Sequence, residues 1–452
     1  MFIKRLMLMN YRNYENLNID FSKSVNVFLG DNAQGKTNIL EAIYYSAFAK
    51  SHRTSKDKEL IKWDANRAFI SLSVGRERLD KNIDIAILKD GKKAISVNSI
   101  KINKIGELFG NFNVVMFSPE DLKIIKESPG IRRKFLDMEL CQLDKKYYFN
   151  LVQYNKVLSE RNIVLKNRNL SEEILDIYDS QLVAFCEYII KARLKYINSL
   201  NTYGKEIHKE ITLGKEEIEF KYESSIKNLE HIKDDFYKQL VKNRKKDIER
   251  GISTIGPHRD DFTVLINNVD TKSYGSQGQQ RTAVLTMKFA SLKIIKEING
   301  EYPVLLLDDV LSELDFNRKK YILSTIKDIQ TIITCTGIAD INNYLDSSSK
   351  VFKVSNGKVS IKEEWFMFLH LGENVAVPIS DIIGIFDLET TMYGSDTSQF
   401  LRMAEEDGFV ERITEETPKS YVIAEVNKKS KIYLSPISST TLSKRTDMDY
   451  NP

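Results

Sequence analysis

The chain has 452 residues and a mass of 52.2 kDa, which is long enough for about three domains. Its 42% hydrophobic and 29% charged residues exclude a disordered or collagen-like chain. The net charge of +4 hides an asymmetry: residues 1–362 carry 59 basic and 47 acidic side chains, a net of +12, whereas residues 363–452 carry 8 and 16, a net of −8. A basic body of this kind is typical either of a solvated lysine-rich surface or of a face that binds a polyanion, and local basic clusters favour the second.

The cellular compartment follows from what the sequence lacks. No apolar run approaches the ~18 residues of a membrane span, and the apolar stretch at residues 6–9 is too short for a signal peptide. Cys141, Cys186 and Cys335 are too scattered for a disulfide framework or a metal site. We therefore expect a reduced, cytoplasmic protein without membrane partners.

A phosphate-binding loop is predicted near the start of the chain. A short apolar run at 25–29 is followed by a G-x-x-x-x-G-K-T segment, and apolar residues then recur at helical spacing from Asn38 to Phe48. This is the strand–loop–helix context that the motif requires. Its glycines let backbone N–H groups face phosphates, its lysine reaches the β- and γ-phosphates, and its threonine hydroxyl ligates Mg²⁺. The predicted nucleotide-binding residues are Gly30, Asp31, Asn32, Ala33, Gln34, Gly35, Lys36 and Thr37.

A helical insertion is predicted in the middle of the chain. Apolar residues from Leu136 to Leu158 step by three and four, which indicates one helical face, and a second apolar face runs from Ile174 to Leu200. Sustained coiled coils need much longer heptad repeats, so these helices predict a lid and not a rod. We interpret the apolar stripes as packed core, and the basic outer face as a surface that can contact DNA phosphates.

A second anion site is predicted just before the helical run Thr282–Ile298. Serine and glycine at a helix start offer a hydroxyl and unobstructed N–H groups. Alone, the pattern is better explained as a polar loop that caps a helix. The candidate residues are Ser276, Gln277, Gly278 and Gln279.

An apolar strand at 303–307 ends in Asp308 and Asp309. Beside Lys36, Asp308 would hold the Mg²⁺ ion, and Asp309 would orient or deprotonate the attacking water. The pattern is weak alone, because many strands end in acidic turn residues. The two aspartates begin 272 residues after Lys36 (308 − 36), so one ATPase sheet is split by a large insertion.

The order of these motifs, followed by an acidic segment at 312–315, resembles the ABC/SMC class of ATPases. In that class, ATP is held between the phosphate loop of one subunit and the signature segment of another. The resemblance implies an ATP-dependent head-to-tail homodimer in which Ser276 to Gln279 act in trans.

Further segments resemble the RecF family of bacterial recombination-mediator ATPases over about residues 1–360. The resemblance implies that Lys36 and Thr37 bind phosphate and Mg²⁺, that Asp308 and Asp309 form the catalytic acidic pair, and that Arg12 and Asn13 lie near the base. The segment at 119–121 would take the place of the Q-loop, and we interpret His258 and Arg259 as a structural turn. The segments that carry the resemblance are 8–14, 51–54, 117–122, 132–137, 256–261 and 276–281.

The family resemblance implies an ATP-gated DNA-binding recombination mediator that acts in DNA repair, replication-gap processing and SOS induction. Its implied partners are single-stranded, double-stranded or gapped DNA, RecR and the RecA machinery. Asp309 replaces the glutamate of transporters, and 331–336 lack a switch histidine; both features favour a slow ATP-gated clamp over a fast motor. The resemblance implies a weak, DNA-dependent ATPase that is used as a conformational switch. An SMC-like chromosome-organising ATPase is the main alternative, and the missing long coiled coil argues against it. A transporter ATPase would need membrane-domain partners.

The acidic tail resembles the RemB family of small extracellular-matrix regulators over about residues 367–445. That family begins at a methionine matching Met367, so we interpret the chain as a fusion of two formerly adjacent reading frames. A separate product starting at Met367, detectable by mass spectrometry, would contradict the single-chain interpretation.

The predicted fold class is α/β: an ABC/SMC-type P-loop ATPase head with an inserted α-helical lid domain, plus a small C-terminal α+β module rich in short strands. The predicted domains are a split head at 1–130 and 250–362, a lid at 131–249, and a RemB-like module at 363–452.

Overall fold

A computed structural model describes residues 1–166, 172–337, 341, 345, 348–361, 368–373, 375–388, 395–414, 417–426 and 429–447. The chain divides into two compact units, Met1–Ile361 and Lys362–Pro452, and each is described by itself. Residues 362–367, which include Met367 at the start of the segment that resembles the RemB family, lie outside the described residues.

An antiparallel sheet is formed largely by the N-terminal strands of the first unit. Buried and exposed residues alternate along these strands, so one face of the sheet packs on the core while the other meets solvent. The strands are β1 (Phe2–Tyr11), β2 (Tyr14–Asp20), β4 (Arg67–Gly75), β5 (Lys81–Leu88), β6 (Lys93–Val97) and β7 (Ile100–Ile102), in the order β2-β1-β4-β5-β6-β7.

A second, mainly parallel sheet positions the site. Its strands are β3 (Val25–Leu29), β8 (Val114–Phe117), β12 (Val304–Asp308), β13 (Thr331–Cys335), β14 (Lys350–Ser355) and β15 (Lys358–Ile361), in the order β15-β14-β3-β13-β12-β8. Only β15 pairs antiparallel within this sheet. The inner strands are continuous apolar runs because both of their faces are buried. Parallel pairing brings the carboxyl ends of β3, β13 and β12 to one edge, where ligands of open α/β sheets bind.

The first unit also contains helices and a three-stranded sheet. The helices are α1 (Lys36–Phe48), α2 (Lys123–Lys126), α3 (Pro129–Leu143), α4 (Lys145–Val164), α5 (Glu172–Ile211), α6 (Ile232–Arg250), α7 (Thr271–Tyr274), α8 (Gln277–Asn299) and α9 (Phe316–Thr325). The small sheet has the order β11-β10-β9, with β9 (Ile218–Glu223), β10 (Asp261–Ile266) and β11 (Val269–Asp270). The 131–249 segment therefore also contributes β9, which pairs with β10 outside that segment.

The single helix predicted across Leu136 to Leu158 is wrong, because two helices meet at Asp144. Asp144 has extended backbone angles, and its side chain accepts a hydrogen bond from the N–H of Lys146 as the N-cap of α4. The three-and-four apolar spacing continues across the break and conceals it. In contrast, the second predicted helical face extends beyond Leu200, because α5 runs on to Ile211.

A buried arginine ties three of the inserted helices together. Arg161 on α4 is fully buried and pairs with Asp179 on α5 (2.7 Å) and with Asp247 on α6 (2.8 Å). Because a buried charge is costly without partners, these contacts fix the relative register of the three helices.

The second unit has its own apolar core, which includes Leu369, Leu371, Val422 and Leu442. A hairpin of β16 (Phe368–Gly372) and β17 (Val375–Pro378) accompanies a four-stranded sheet in the order β18-β20-β21-β19. The sheet strands and helices are β18 (Ile382–Asp387), α10 (Ser395–Glu406), β19 (Val410–Arg412), β20 (Ser420–Val426), β21 (Lys429–Ser435) and α11 (Ser439–Asp447). Within the described residues, this unit therefore has the α+β content and the short strands that were predicted for the C-terminal module.

Candidate functional site

The loop between β3 and α1 has the geometry of a phosphate cradle. Gly35 is the N-cap of α1 with φ of 112°, which a residue with a side chain rarely adopts. A Cβ at Gly35 would lie 2.5 Å from the side-chain amide nitrogen of Asn13, so the position also needs glycine for space. The N-terminal N–H groups of α1 point out of this turn, where the helix dipole favours an anion.

Lys36 curls back over the loop. Its ammonium donates to the backbone carbonyls of Gly30 and Asp31, the latter at 3.1 Å, and only 6% of the residue is exposed. These carbonyls are weak substitutes for a phosphate, because a neutral acceptor gives a weaker hydrogen bond than an ionised one. The lysine is therefore held in the cradle with its charge available to an anionic ligand.

Thr37 and Asp308 meet at the edge of the sheet. The Thr37 hydroxyl donates to the Asp308 carboxylate at 2.9 Å, although 271 residues separate them. The hydroxyl of Thr334, at the end of β13, donates to the same carboxylate oxygen at 2.9 Å. Threonine and aspartate oxygens are ligands that Mg²⁺ prefers, so this pair fits the ion. Bound there, Mg²⁺ would neutralise phosphate charge.

Asp309 follows the end of β12 in a left-handed conformation, with φ of 53°. Its N–H donates to the Thr334 hydroxyl (3.0 Å), and its carbonyl accepts from the Ser312 hydroxyl (2.8 Å). Within the described chain no protein donor bonds to its carboxylate, so that group is available to a water molecule. Backbone contacts thus hold the residue while its side chain stays free.

Asn13 lies against the outside of the loop. Its amide nitrogen donates to the Gln34 carbonyl (3.0 Å), and its amide oxygen accepts from Asn38 on α1 (2.8 Å). The Tyr14 hydroxyl donates to the Gly35 carbonyl at 3.0 Å. The hairpin between β1 and β2 therefore supports the loop from behind. The exposed loop residues are Asp31, Asn32 and Ala33.

Arg12 is half-buried and forms an ion pair with the buried Glu41, to whose carboxylate it donates through two nitrogens, at 2.8 and 2.7 Å. Ser51 donates to the same carboxylate at 2.6 Å. Burial opposes ionisation of Glu41, but the hydrogen bonds from Arg12 and Ser51 outweigh it and lower the pKa of the carboxyl group. The structure thus uses Arg12 to tie the hairpin to α1, and its predicted place near the base stays a prediction.

The signature residues form the first turn of α8. The Ser276 hydroxyl accepts the N–H of Gln279 (3.2 Å), and the Gln279 side chain accepts the N–H of Ser276 (2.9 Å), which makes a reciprocal capping box. The Gln279 amide also donates to Glu216 (2.9 Å), and the Gly278 carbonyl accepts from Arg318 (3.2 Å). Gln277 is exposed.

The turn around His258 is internally bonded. His258 contacts the Tyr154 hydroxyl at 2.8 Å and the Ser253 carbonyl at 3.0 Å, and burial lowers its pKa to about 4. The Arg259 guanidinium also donates to the Ser253 carbonyl (3.0 Å).

In the predicted Q-loop position, Asp121 pairs with Lys288 on α8 at 2.9 Å.

Thr334 is the residue that sequence reasoning missed. It orients Asp308 and also accepts the N–H of Asp309. The sequence signal for Thr334 is its position near the end of the apolar run 331–335, which forms β13. From the sequence alone, that segment is notable only for its lack of a switch histidine. Tyr14 lies in the segment 8–14 that carries the family resemblance, but no local pattern predicts that its hydroxyl reaches Gly35.

Several known proteins are similar to this chain. The profile of the family described as "RecF/RecN/SMC N terminal domain" matches residues 2–360. A "DNA replication and repair protein RecF" of Clostridium perfringens (strain 13 / Type A) is 72% identical over 359 residues, which is 79% of this chain and 99% of that protein. The protein of the same name in Clostridium botulinum (strain Eklund 17B / Type B) is 70% identical over the same shares of the two chains.

Solved structures agree with these similarities. The structure described as "recombination mediator protein RecF-ATP in RecFOR pathway" is 39% identical with a TM-score of 0.74, over 80% of this chain and 97% of that chain. An Smc head bound to the C-winged helix domain of ScpA is 16% identical with a TM-score of 0.50, over 87% and 100% of the two chains, a likeness of fold alone. Among the described residues, no helix is both long and apolar enough to span a bilayer.

Proposed function

This chain belongs to the RecF family of DNA replication and repair proteins, and we propose that it is an ATP-gated DNA-binding recombination mediator. The observation that carries the proposal is the hydrogen bond between Thr37 and Asp308, because it brings the two halves of a nucleotide site together from opposite ends of the first unit. The RecF relative described with ATP supports the choice of nucleotide.

The site's residues divide the work on ATP. Lys36 exchanges the carbonyls of Gly30 and Asp31 for the β- and γ-phosphates, while the N–H groups of the loop and of α1 surround them. Thr37 and Asp308 would hold Mg²⁺. Asp309 orients the attacking water or takes its proton. Arg12 and Asn13 stay the residues proposed near the base, although Arg12 is paired with Glu41 and Asn13 is bonded to Gln34 and Asn38.

The length of α8 supports action of the signature in trans. Lys288 donates to the Met116 carbonyl (2.7 Å), and Phe289 packs on Phe117, so the middle of α8 lies level with the carboxyl edge of the sheet. Ser276 caps the helix twelve residues before Lys288, about 18 Å further along its axis. A signature that projects so far beyond its own strand ends is suited to a nucleotide held by a second copy of the chain.

Replacing Ser276 separates the trans role from the capping role. Ser276→Asn keeps a good N-cap but removes the hydroxyl, so we expect normal thermal stability with ATP-dependent dimerisation weakened about tenfold. Ser276→Ala should also lower the free energy of unfolding by about 1 kcal/mol. Analytical ultracentrifugation with ATP and Mg²⁺ measures the first effect and denaturant unfolding the second. Wild-type dimerisation by Ser276→Asn would reject the signature role.

DNA binding is proposed from the RecF relationship and from the net charge of +12 on residues 1–362. We expect affinity for gapped DNA to fall at least about tenfold between roughly 0.05 and 0.2 M salt. Ending the chain at Ile361 removes an acidic segment and should raise affinity a few-fold at low salt. Fluorescence anisotropy measures both changes, and the advantage of the shortened chain should vanish at high salt. An affinity that is independent of salt would contradict phosphate contacts.

We propose slow hydrolysis as the release step of a DNA-dependent switch. This proposal is supported by Asp309, which stands in the position of the acid that orients the attacking water. Its side chain is one methylene shorter than the glutamate of transporters, so the chemical step is expected to be slower. ATP would close a homodimer on DNA, and hydrolysis would reopen it. Gel filtration with and without ATP, Mg²⁺ and DNA tests the sequence of events: dimerisation that ignores ATP would exclude this mechanism.

The RecFOR context of the solved relative supports RecR as a partner at gapped DNA, with the RecA machinery as the downstream context. The inserted helices held by Arg161 would act as the lid of the head, with 131–249 as its proposed extent and the head formed by 1–130 and 250–362. We propose a cytoplasmic location, where the DNA substrates of a recombination mediator lie. The three cysteines are free and buried, which is compatible with a reducing compartment.

We propose a regulatory role for residues 363–452. Resemblance to the RemB family supports this proposal, as does an apolar core separate from that of the first unit. The module would regulate the ATPase or carry a matrix-gene function of its own. The family profile ends at residue 360, next to the boundary between the two units.

A further inference from the structure

A cavity of about 610 Å³ opens at the C-terminal end of α1, the end remote from the phosphate cradle. Phe48 lines it from the end of α1, and Lys50 lines it from the second position after that helix. Arg133 and Lys134 line it from α3, and the turn containing His258 lines another side. Two segments that the ATP site does not use, 132–137 and 256–261, therefore converge on this α1–α3 cavity.

The α1–α3 cavity carries an excess of positive charge. Its two carboxylates are already neutralised: Asp57 pairs with Lys93 at 2.8 Å, and Asp137 pairs with Arg193 at 2.8 Å. The remaining cations are Lys50, Arg133 and Lys134.

Those three cations have no carboxylate partner among the residues that the structure describes. Arg133 donates to the backbone carbonyl of Asp260 (2.7 Å). Partial desolvation, together with repulsion from Lys50, lowers the pKa of Lys134. Partial desolvation and repulsion from Arg193 lower the pKa of Arg133. An anion entering the cavity would relieve this repulsion and gain charge-assisted hydrogen bonds.

An aromatic wall faces the same space. Phe109 lies between Phe48, at 6.3 Å, and Tyr148, at 4.9 Å between ring centroids, and all three rings line the cavity. Every nucleobase has a π-face that can stack on such side chains. The cavity thus combines an aromatic wall with three cations that form no ion pair among the described residues.

We propose that the α1–α3 cavity binds a nucleotide, with the base against Tyr148, the partly exposed ring of the aromatic wall, and the phosphate held by Lys50, Arg133 and Lys134. The cavity volume falls within the roughly 300–1,000 Å³ typical of small-ligand sites. The ligand is either a free mononucleotide or the 5′-terminal nucleotide of a DNA strand, which present the same chemistry. The site is additional to the ATP cradle and does not depend on it.

The test uses the full chain carrying Lys36→Met, so that the cradle does not contribute. Titration calorimetry follows binding of dTMP, of ribose 5-phosphate, which lacks a base, of a short 5′-phosphorylated oligothymidylate, and of the same oligothymidylate with a 5′-hydroxyl. The cavity variant is Lys50→Gln with Lys134→Gln. Its matched control is Lys145→Gln with Lys156→Gln, which removes two exposed positive charges outside the cavity.

We expect one saturable site that the cavity variant weakens about tenfold or more and the control variant by less than about twofold. Preference for the phosphorylated strand over its twin identifies a strand end as the source, whereas binding of dTMP without that preference identifies a free nucleotide. The proposal is overturned if neither dTMP nor the phosphorylated oligothymidylate binds, or if the control variant weakens binding as much as the cavity variant does. It is also overturned if ribose 5-phosphate binds as tightly as dTMP.

Discussion

Lys36→Met is expected to lower the affinity for ATP about 1,000-fold while leaving the fold intact. Hydrogen bonds to charged groups are worth about 1.5–3 kcal/mol each, and the Lys36 ammonium is placed to make more than one with the phosphates. Among the described residues, this ammonium donates to the carbonyls of Gly30 and Asp31. Methionine has a similar length, so the substitution removes only these two hydrogen bonds. The free energy of unfolding should therefore fall only slightly.

Equilibrium binding of a fluorescent ATP analogue measures the loss, and circular dichroism checks the fold. Lys104→Met is a suitable control because it removes an exposed lysine far along the chain from the cradle. If Lys36→Met bound ATP within about tenfold of the wild type, the loop between β3 and α1 would not be the phosphate site.

Asp309→Asn is expected to trap a long-lived ATP-bound dimer. Removing a general base typically slows the chemical step about 10²–10⁴-fold, and in the proposed switch hydrolysis opens the dimer. The substitution suits the backbone, since asparagine tolerates the left-handed conformation that Asp309 adopts, and the contacts with Thr334 and Ser312 involve only main-chain atoms of this residue. ATP binding should therefore be preserved.

The lifetime of the dimer after removal of free ATP, followed by light scattering, is the measurement. Asp308→Asn is the informative comparison: it alters the acceptor of Thr37 and Thr334 and should weaken Mg²⁺-dependent ATP binding instead. A dimer of Asp309→Asn that dissociates as quickly as the wild type would remove Asp309 from the hydrolytic step.

Local patterns predicted the strands and turns of the site. The apolar run before Gly30, the helix after Thr37 and the strand that ends at Asp308 each depend on neighbouring residues, and the structure has all three elements. The family resemblance supplied the pairing between distant segments, because no local pattern encodes which strands become neighbours.

Other features depend on contacts that no local pattern contains. Thr334 reaches Asp308 only because β13 lies beside β12. The pair of Arg12 and Glu41 requires β1 to pack next to α1. The helix break at Asp144 was not predicted because the local pattern is misleading there: the apolar residues keep their helical spacing across the cap.

The strand order of the parallel sheet determines how long β3 waits for its neighbouring strands during synthesis of the chain. β13 is inserted between β3 and β12, yet it ends at Cys335, close to the C-terminal end of the first unit. At about 5–20 residues per second, roughly 15–60 s pass between synthesis of β3 and synthesis of β13, the first of its two neighbours to be made. Throughout that interval β3 presents an unpaired apolar edge. The nascent polypeptide should therefore depend on chaperones until translation is nearly complete.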